Sequence, residues 1–189
     1  MKCQRLIESG KTLHAVWFPV LQLPVRYPME GKSMPLPVLL KDVAEAIGGL
    51  NEELHACINR RTGEVVVISD EESWLAENGG IDDESLPAWQ RDILPKVKEV
   101  LESEDFVALP DQFEFDEYRL MQRFSLEQED PGTQEELLDS IRGRGAFRRF
   151  KNRVYEMGIE KAWFAYRDQA LEQFAADFLR REGIPFVEE

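Results

Sequence analysis

From Glu160 to Glu182 the chain runs without a glycine or proline, and it carries Trp163, Tyr166, Ala170, Phe174 and Phe178 along the way. Gly183 and Pro185 follow and stop it. A long helix this rich in large apolar side chains must be the spine on which the remainder packs, so it is read as the central core helix.

The segments before it supply what packs. Leu36, Leu39, Leu40, Val43 and Ile47 recur at helical spacing, and Gly48-Gly49 ends that helix. Leu54–Ile58 and Val65–Ile68 are β-rich runs on either side of Asn59–Glu64, which predicts a hairpin with Gly63 at positive φ. The unbroken Val-Val-Val-Ile run predicts burial on both faces. Phe106–Leu109, ended by Pro110, is the third strand, and three strands make a sheet where a lone hairpin would not hold.

Asp70–Glu84 holds seven acidic residues and no basic one, and reads as a solvated connector with at most a helical turn around Trp74. Ser85 is placed to cap a helix with Pro87 in its first turn, and Trp89, Ile93, Val97, Val100 and Leu101 mark its buried stripe. Pro95 is expected to kink or split that helix. Phe115, Asp116 and Leu120 fit a hydrophobic staple around an Asp N-cap, with Leu120, Met121 and Phe124 turned inward. Thr133-x-x-Glu136 reads as a capping box opening a helix with Leu137, Leu138 and Ile141 on its apolar side. The expected fold class is α+β and mostly helical: a small three-stranded antiparallel sheet packed with about five to six helices. Residues 34–189 form one domain in this reading, and 1–33 a poorly ordered extension.

Charge singles out one stretch. Arg142 to Arg153 contains six basic residues and no acidic one, inside a chain of 23 Lys and Arg against 37 Asp and Glu, a net −14. Without those six the chain holds 17 basic against 37 acidic residues. Most of its exterior should therefore repel nucleic acid and anionic membrane, and any contact with phosphate must be local. On a helix, Phe147, Phe150, Val154 and Met157 share one face and are expected to pack inward. Arg144, Arg148, Lys151 and Tyr155 share a second, a candidate clamp for phosphate or carboxylate with an aromatic beside it. Arg149 and Arg153 fall on a third face beside Glu156. The competing reading is internal pairing, since Glu99–Asp139 alone holds fourteen acidic and two basic residues. Arginines interleaved with aromatics also suggest a single-strand nucleic-acid platform. The expected burial of Phe147 and Phe150 leaves only Tyr155 to stack and argues against it.

Enzymatic signals are poor. His14 lies in the N-terminal extension, whereas His55 and Cys57 alternate on one strand, where both face one side of the sheet. Such a pair is far more often ordinary sheet chemistry than a catalytic dyad. Asp82-Asp83-Glu84 offers oxygen ligands to a hard cation but lacks the alternating register of a calcium loop. No phosphate-cradling glycine loop, nucleophile elbow or metal-ligand spacing is present, and no cofactor is expected. Cys3 and Cys57, far apart, suit a reducing compartment, and the proline-broken stretch Leu13–Val25 does not read as a secretory signal, so a cytoplasmic protein without membrane contact is expected.

Three segments together carry a resemblance. They are Thr62-Gly-Glu-Val-Val66 with Ile68-Ser-Asp70; Leu109-Pro110 through Phe115-Asp-Glu-Tyr118 to Met121 and Phe124; and Ile141-Arg-Gly-Arg-Gly-Ala-Phe-Arg-Arg-Phe-Lys151 with Trp163 and Tyr166-Arg167. Over about Leu36–Gly183 the chain resembles uncharacterised protein family 0158, small acidic bacterial proteins; Pro95 and the stretch before Met34 depart from its pattern. The resemblance implies neither a catalytic set nor a substrate. The residues themselves lead to a non-enzymatic interaction or regulatory protein whose partner, most simply another protein's acidic patch, meets Arg144, Arg148, Lys151 and Tyr155. Direct RNA or DNA binding through the same helix is the first alternative, and capture of a basic partner by the acidic body the second.

Overall fold

The computed structural model of the protein describes residues 35–79, 85–111 and 113–188. The expected extension 1–33, with Cys3 and His14, and the Asp82-Asp83-Glu84 cluster lie outside the described residues. Chain order is β1 (Val38–Leu39), α1 (Leu40–Gly49), β2 (Leu54–Asn59), β3 (Val65–Ser69), α2 (Asp70–Glu77), α3 (Ala88–Glu102), β4 (Phe106–Ala108), α4 (Glu117–Leu126), α5 (Pro131–Ser140), α6 (Ala146–Glu156), α7 (Glu160–Glu182) and β5 (Phe186–Val187). The fold is α+β and mostly helical, with seven helices among the described residues.

β2 is the middle of an antiparallel sheet of order β3-β2-β4, in which Cys57 pairs with both Val66 and Ala108. The hairpin turn is built by Asn59, whose side-chain oxygen accepts from the backbone N–H of Arg61 (2.9 Å) and Thr62 (3.1 Å), and Gly63 has φ 73°. Strand alternation divides the sheet between two cores. Ala56 and Ile58 join α1 and the C-terminal half of α7, through Val43, Ile47, Leu171, Ala175 and Leu179. Cys57, Val66, Ile68 and Phe106 join α2 and α3 on the opposite face, through Ala76, Leu94, Val97 and Val100. β3 is an edge strand and Val67 is 42% exposed. The Val-Val-Val-Ile run is thus buried in alternation rather than on both faces.

Several boundaries differ from the sequence expectation for local reasons. α1 begins at Leu40, not Leu36, because Pro37 removes a donor and disfavours helix at the residue before it. Val38–Leu39 instead pairs in parallel with Phe186–Val187, leaving Leu36 and Leu39 exposed. The acidic connector begins as a true helix, α2. Ser69 Oγ accepts from the Glu72 N–H (3.2 Å) and Glu72 Oε2 accepts from the Ser69 N–H (2.8 Å), a reciprocal capping box, and three carboxylates sit in the first turn where the dipole favours them. α3 starts after Pro87 and continues through Pro95. Pro95 is exposed, so its ring sits on the outer side of the helix rather than against the core. The buried stripe of α3 is Gln90, Leu94, Val97 and Val100, which leaves Trp89 outside, 65% exposed.

Asp116 caps α4 as expected, accepting from the Arg119 N–H at 3.0 Å, and Leu120, Met121 and Phe124 are buried. α5 opens one turn earlier than Thr133: Asp130 is its N-cap, accepting from the Thr133 N–H at 2.7 Å, with Pro131 in the first helical position where no N–H is needed. α7 is the spine anticipated. Its N-terminal half meets α4, α5 and α6 around the buried Trp163, and its C-terminal half meets α1. Arg167 Nε donates to Glu117 (3.1 Å), tying α7 to the start of α4.

Candidate functional site

The basic segment folds as a loop and a helix. Gly143 (φ 71°) and Gly145 (φ 78°) both lie in the left-handed region, which favours glycine, so the Gly-Arg-Gly sequence turns the chain sharply out of α5 and into α6 with Arg144 exposed at the bend. The rotation of α6 about its axis is fixed by aromatic packing: the Phe150 ring sits 4.8 Å from that of Trp163 and 6.3 Å from that of Phe124, both edge-on. The buried row is accordingly Ala146, Phe150 and Val154, with Met157 half-buried at its end.

Phe147, expected inside, is 46% exposed. Ala146 takes the inward position at the start of α6, and the buried arc is rotated by about 20° from the one the large side chains suggested. A phase judged with Ala146 included would have found this.

The six cations divide into two sets. Arg149 reaches back under the loop: its Nε donates to the Ser140 carbonyl at 3.1 Å, and its two Nη groups donate to the carbonyls of Arg144, Arg142 and Gly143. A guanidinium there answers the unpaired carbonyls and negative dipole end of α5. Arg142 pairs with Asp139 at 2.8 Å, and Arg153 with Glu156 at 3.0 Å and Glu136 at 3.4 Å. Arg142 and Arg153 thus pair with the protein's own carboxylates, as the competing reading requires, whereas Arg149 is engaged by backbone carbonyls. Arg144, Arg148 and Lys151 are exposed and make no ion pair among the described residues. Tyr155 is 75% exposed.

Arg148, Lys151 and Tyr155 thus share an open surface of α6, Phe147 joins them, and Arg144 is exposed on the loop just before the helix. At 100° per residue, Phe147, Lys151, Tyr155 and Arg148 fall within an arc of about 100°. No acidic residue occurs between Arg142 and Tyr155. The acidic side of α6 is its opposite flank, where Glu136, Asp139, Arg149, Arg153 and Glu156 line the groove against α5. The outer stripe can take anions through cations that lack internal partners, and flat or apolar groups through two rings.

His55 Nε2 lies 2.8 Å from Asp70 Oδ1 at the start of α2. Cys57 faces the same side of the sheet but is fully buried in the α2–α3 core, whereas a reactive thiol needs access and a stabilised thiolate. Among the described residues no group of three or more His, Cys, Asp or Glu is arranged to hold a metal ion, and no helix is long and apolar enough to cross a membrane.

A family model described as "Uncharacterised protein family (UPF0158)" matches residues 82–189, more than half of the chain. The matched span runs from before α3 to β5 and includes the whole basic segment and Pro95; the hairpin β2–β3 lies outside it. Comparison with curated proteins and with solved structures gives no match. The chain therefore belongs to uncharacterised protein family UPF0158.

Proposed function

We propose that this protein is a non-enzymatic interaction or regulatory protein of the cytoplasm, which engages an anionic partner through Arg148, Lys151 and Tyr155 on the outer face of α6 together with Arg144 on the loop before it. The observation that carries this reading is the division of the cations. In a molecule of net −14, acidic side chains are plentiful: Arg142 and Arg153 pair with carboxylates just outside the segment, and Arg149 bonds backbone carbonyls. Arg144, Arg148 and Lys151 make no ion pair among the described residues. Exposed ion pairs are worth little, so leaving these side chains unpaired costs the fold almost nothing while keeping them available. Arginine presents a planar fork that meets carboxylate or phosphate with two parallel hydrogen bonds, and a cation set inside a negative field rewards a partner that brings its charge to that place alone.

The test is affinity purification from the native host, comparing the wild type with Arg148→Glu/Lys151→Glu. Specific loss of a co-purifying species from the variant is expected. An identical set of bound species from both would overturn the proposal, and if those species were basic it would transfer the role to the acidic body of the molecule.

A further inference from the structure

The exposed position of Phe147 changes what the α6 face can recognise. Phe147, Lys151 and Tyr155 stand four residues apart in one row, ring, cation, ring, with Arg148 beside the row and Arg144 exposed on the loop that leads into the helix. We infer that the anionic partner of this face is a single-stranded nucleic acid, whose unpaired bases stack on Phe147 and Tyr155 while its phosphates meet Arg144, Arg148 and Lys151. This rests on the reading of α6 as the docking face and adds the chemistry of what docks.

Three observations favour a single strand over other anions. First, two aromatic side chains, 46% and 75% exposed, flank cations on a face that is otherwise charged; a carboxylate patch would use the cations and leave flat ring faces idle. Second, the ring–cation–ring alternation along one helix row matches the base–phosphate alternation of a strand. Third, Phe147 and Tyr155 are eight residues apart, about 12 Å along the axis at 1.5 Å per residue. Neighbouring bases in a stacked strand are only about 3.4 Å apart. Neighbouring stacked bases therefore cannot meet both rings, and a duplex, with its base faces covered, has nothing to offer them. The cations number three and the rest of the molecule is acidic, so the contact is short and confined to this helix.

The test uses the full chain and fluorescence anisotropy with labelled single strands of roughly 12 nucleotides, oligo(U) and oligo(dT), a duplex of equal length, and poly-L-glutamate as an anion without bases. At about 50 mM salt the wild type is expected to bind the single strands more tightly than the duplex, with a slope of log K against log salt near −2, as for about three neutralised phosphates. Phe147→Ala/Tyr155→Ala is expected to weaken single-strand binding by roughly ten-fold or more and to leave poly-L-glutamate binding unchanged. Both positions are exposed, so this variant keeps its core, which a melting curve verifies. Arg148→Glu/Lys151→Glu is expected to abolish binding of both ligands.

Failure to bind either single strand at low salt would overturn the inference, as would equal affinity of the wild type and the double alanine variant. Binding of poly-L-glutamate through Arg148 and Lys151 without binding of oligonucleotides would also overturn it, and would leave the anionic-partner reading standing. If charge reversal alters neither poly-L-glutamate binding nor co-purification from the host, that broader reading falls with it.

Discussion

Arg149 donates from its Nε to the Ser140 carbonyl at 3.1 Å, a bond that clamps the start of α6 beneath the end of α5. The adjacent Arg148, about 100° further round the helix, is exposed and meets no carboxylate among the described residues. Two consecutive arginines of one motif thus have separate tasks. One holds the Gly-Arg-Gly turn, and the other belongs to the open face.

These tasks predict opposite mutational behaviour. Arg149→Met removes a charged donor from several carbonyls at once and is expected to lower stability by about 1–2 kcal/mol, discounted for the partial exposure of the guanidinium. Arg149→Lys recovers little, because an ammonium lacks the planar fork. Arg148→Ala is expected to lie within about 0.5 kcal/mol of wild type. Urea unfolding of the three variants checks this, and equal stability of Arg149→Met and wild type would contradict the clamp.

The neighbouring phenylalanines separate in the same way. Phe150 is fully buried against Trp163 and Phe124, so Phe150→Ala is expected to cost about 3–5 kcal/mol. Phe147→Ala is expected to cost less than about 1 kcal/mol. Comparable losses in thermal or urea unfolding would place Phe147 in the core, as its sequence position suggested.

Ser69 tests whether the acidic segment after the hairpin is a helix. Its hydroxyl and the Glu72 carboxylate satisfy each other's backbone donors, and Ser69→Ala is expected to destabilise by about 1 kcal/mol. Amide exchange in Asp70–Glu77 should accelerate together with that loss. Unchanged stability and exchange would restore the view of this segment as a solvated connector.

Asp130 supplies a pH dependence. Acceptance of hydrogen bonds from Thr133, first the backbone N–H and then the side chain, holds its carboxyl below the ordinary value of 3.8. A carboxyl lowered in the folded state stabilises above the unfolded pKa, and this contribution is lost as pH falls from about 3.8 through the lower folded value. Asp130→Asn keeps an N-cap of similar quality but no titrating group. Its stability should therefore fall less steeply than that of the wild type over that acidic window; parallel pH profiles would contradict the assignment.

Much of the architecture could be read from the chain because its signals are local and periodic. The spacing of Trp163, Phe174 and Phe178 within an uninterrupted stretch identified the spine, and Asn59–Glu64 identified the hairpin. The parallel pair Val38–Leu39 with Phe186–Val187 was not legible, since two-residue strands have no period and their partners lie at opposite ends of the described chain. Trp89 and Phe147 were misplaced for a shared reason. Large apolar side chains drew the predicted stripe, whereas Leu94 and Ala146 occupy the inward positions because neighbouring helices set the rotation. The cluster of positive charge was legible in the sequence, but the division between Arg149 and Arg148 was not: it depends on the carbonyls at the end of α5, which appear only once the turn is folded.

That division is most directly measured by arginine-selective labelling of the native protein with phenylglyoxal, followed by peptide mapping. Arg144 and Arg148 are expected to react much faster than Arg149, and all three at similar rates after unfolding. Protection of Arg148 equal to that of Arg149 in the native state would show that its guanidinium is already occupied, and would contradict a free cationic face on α6.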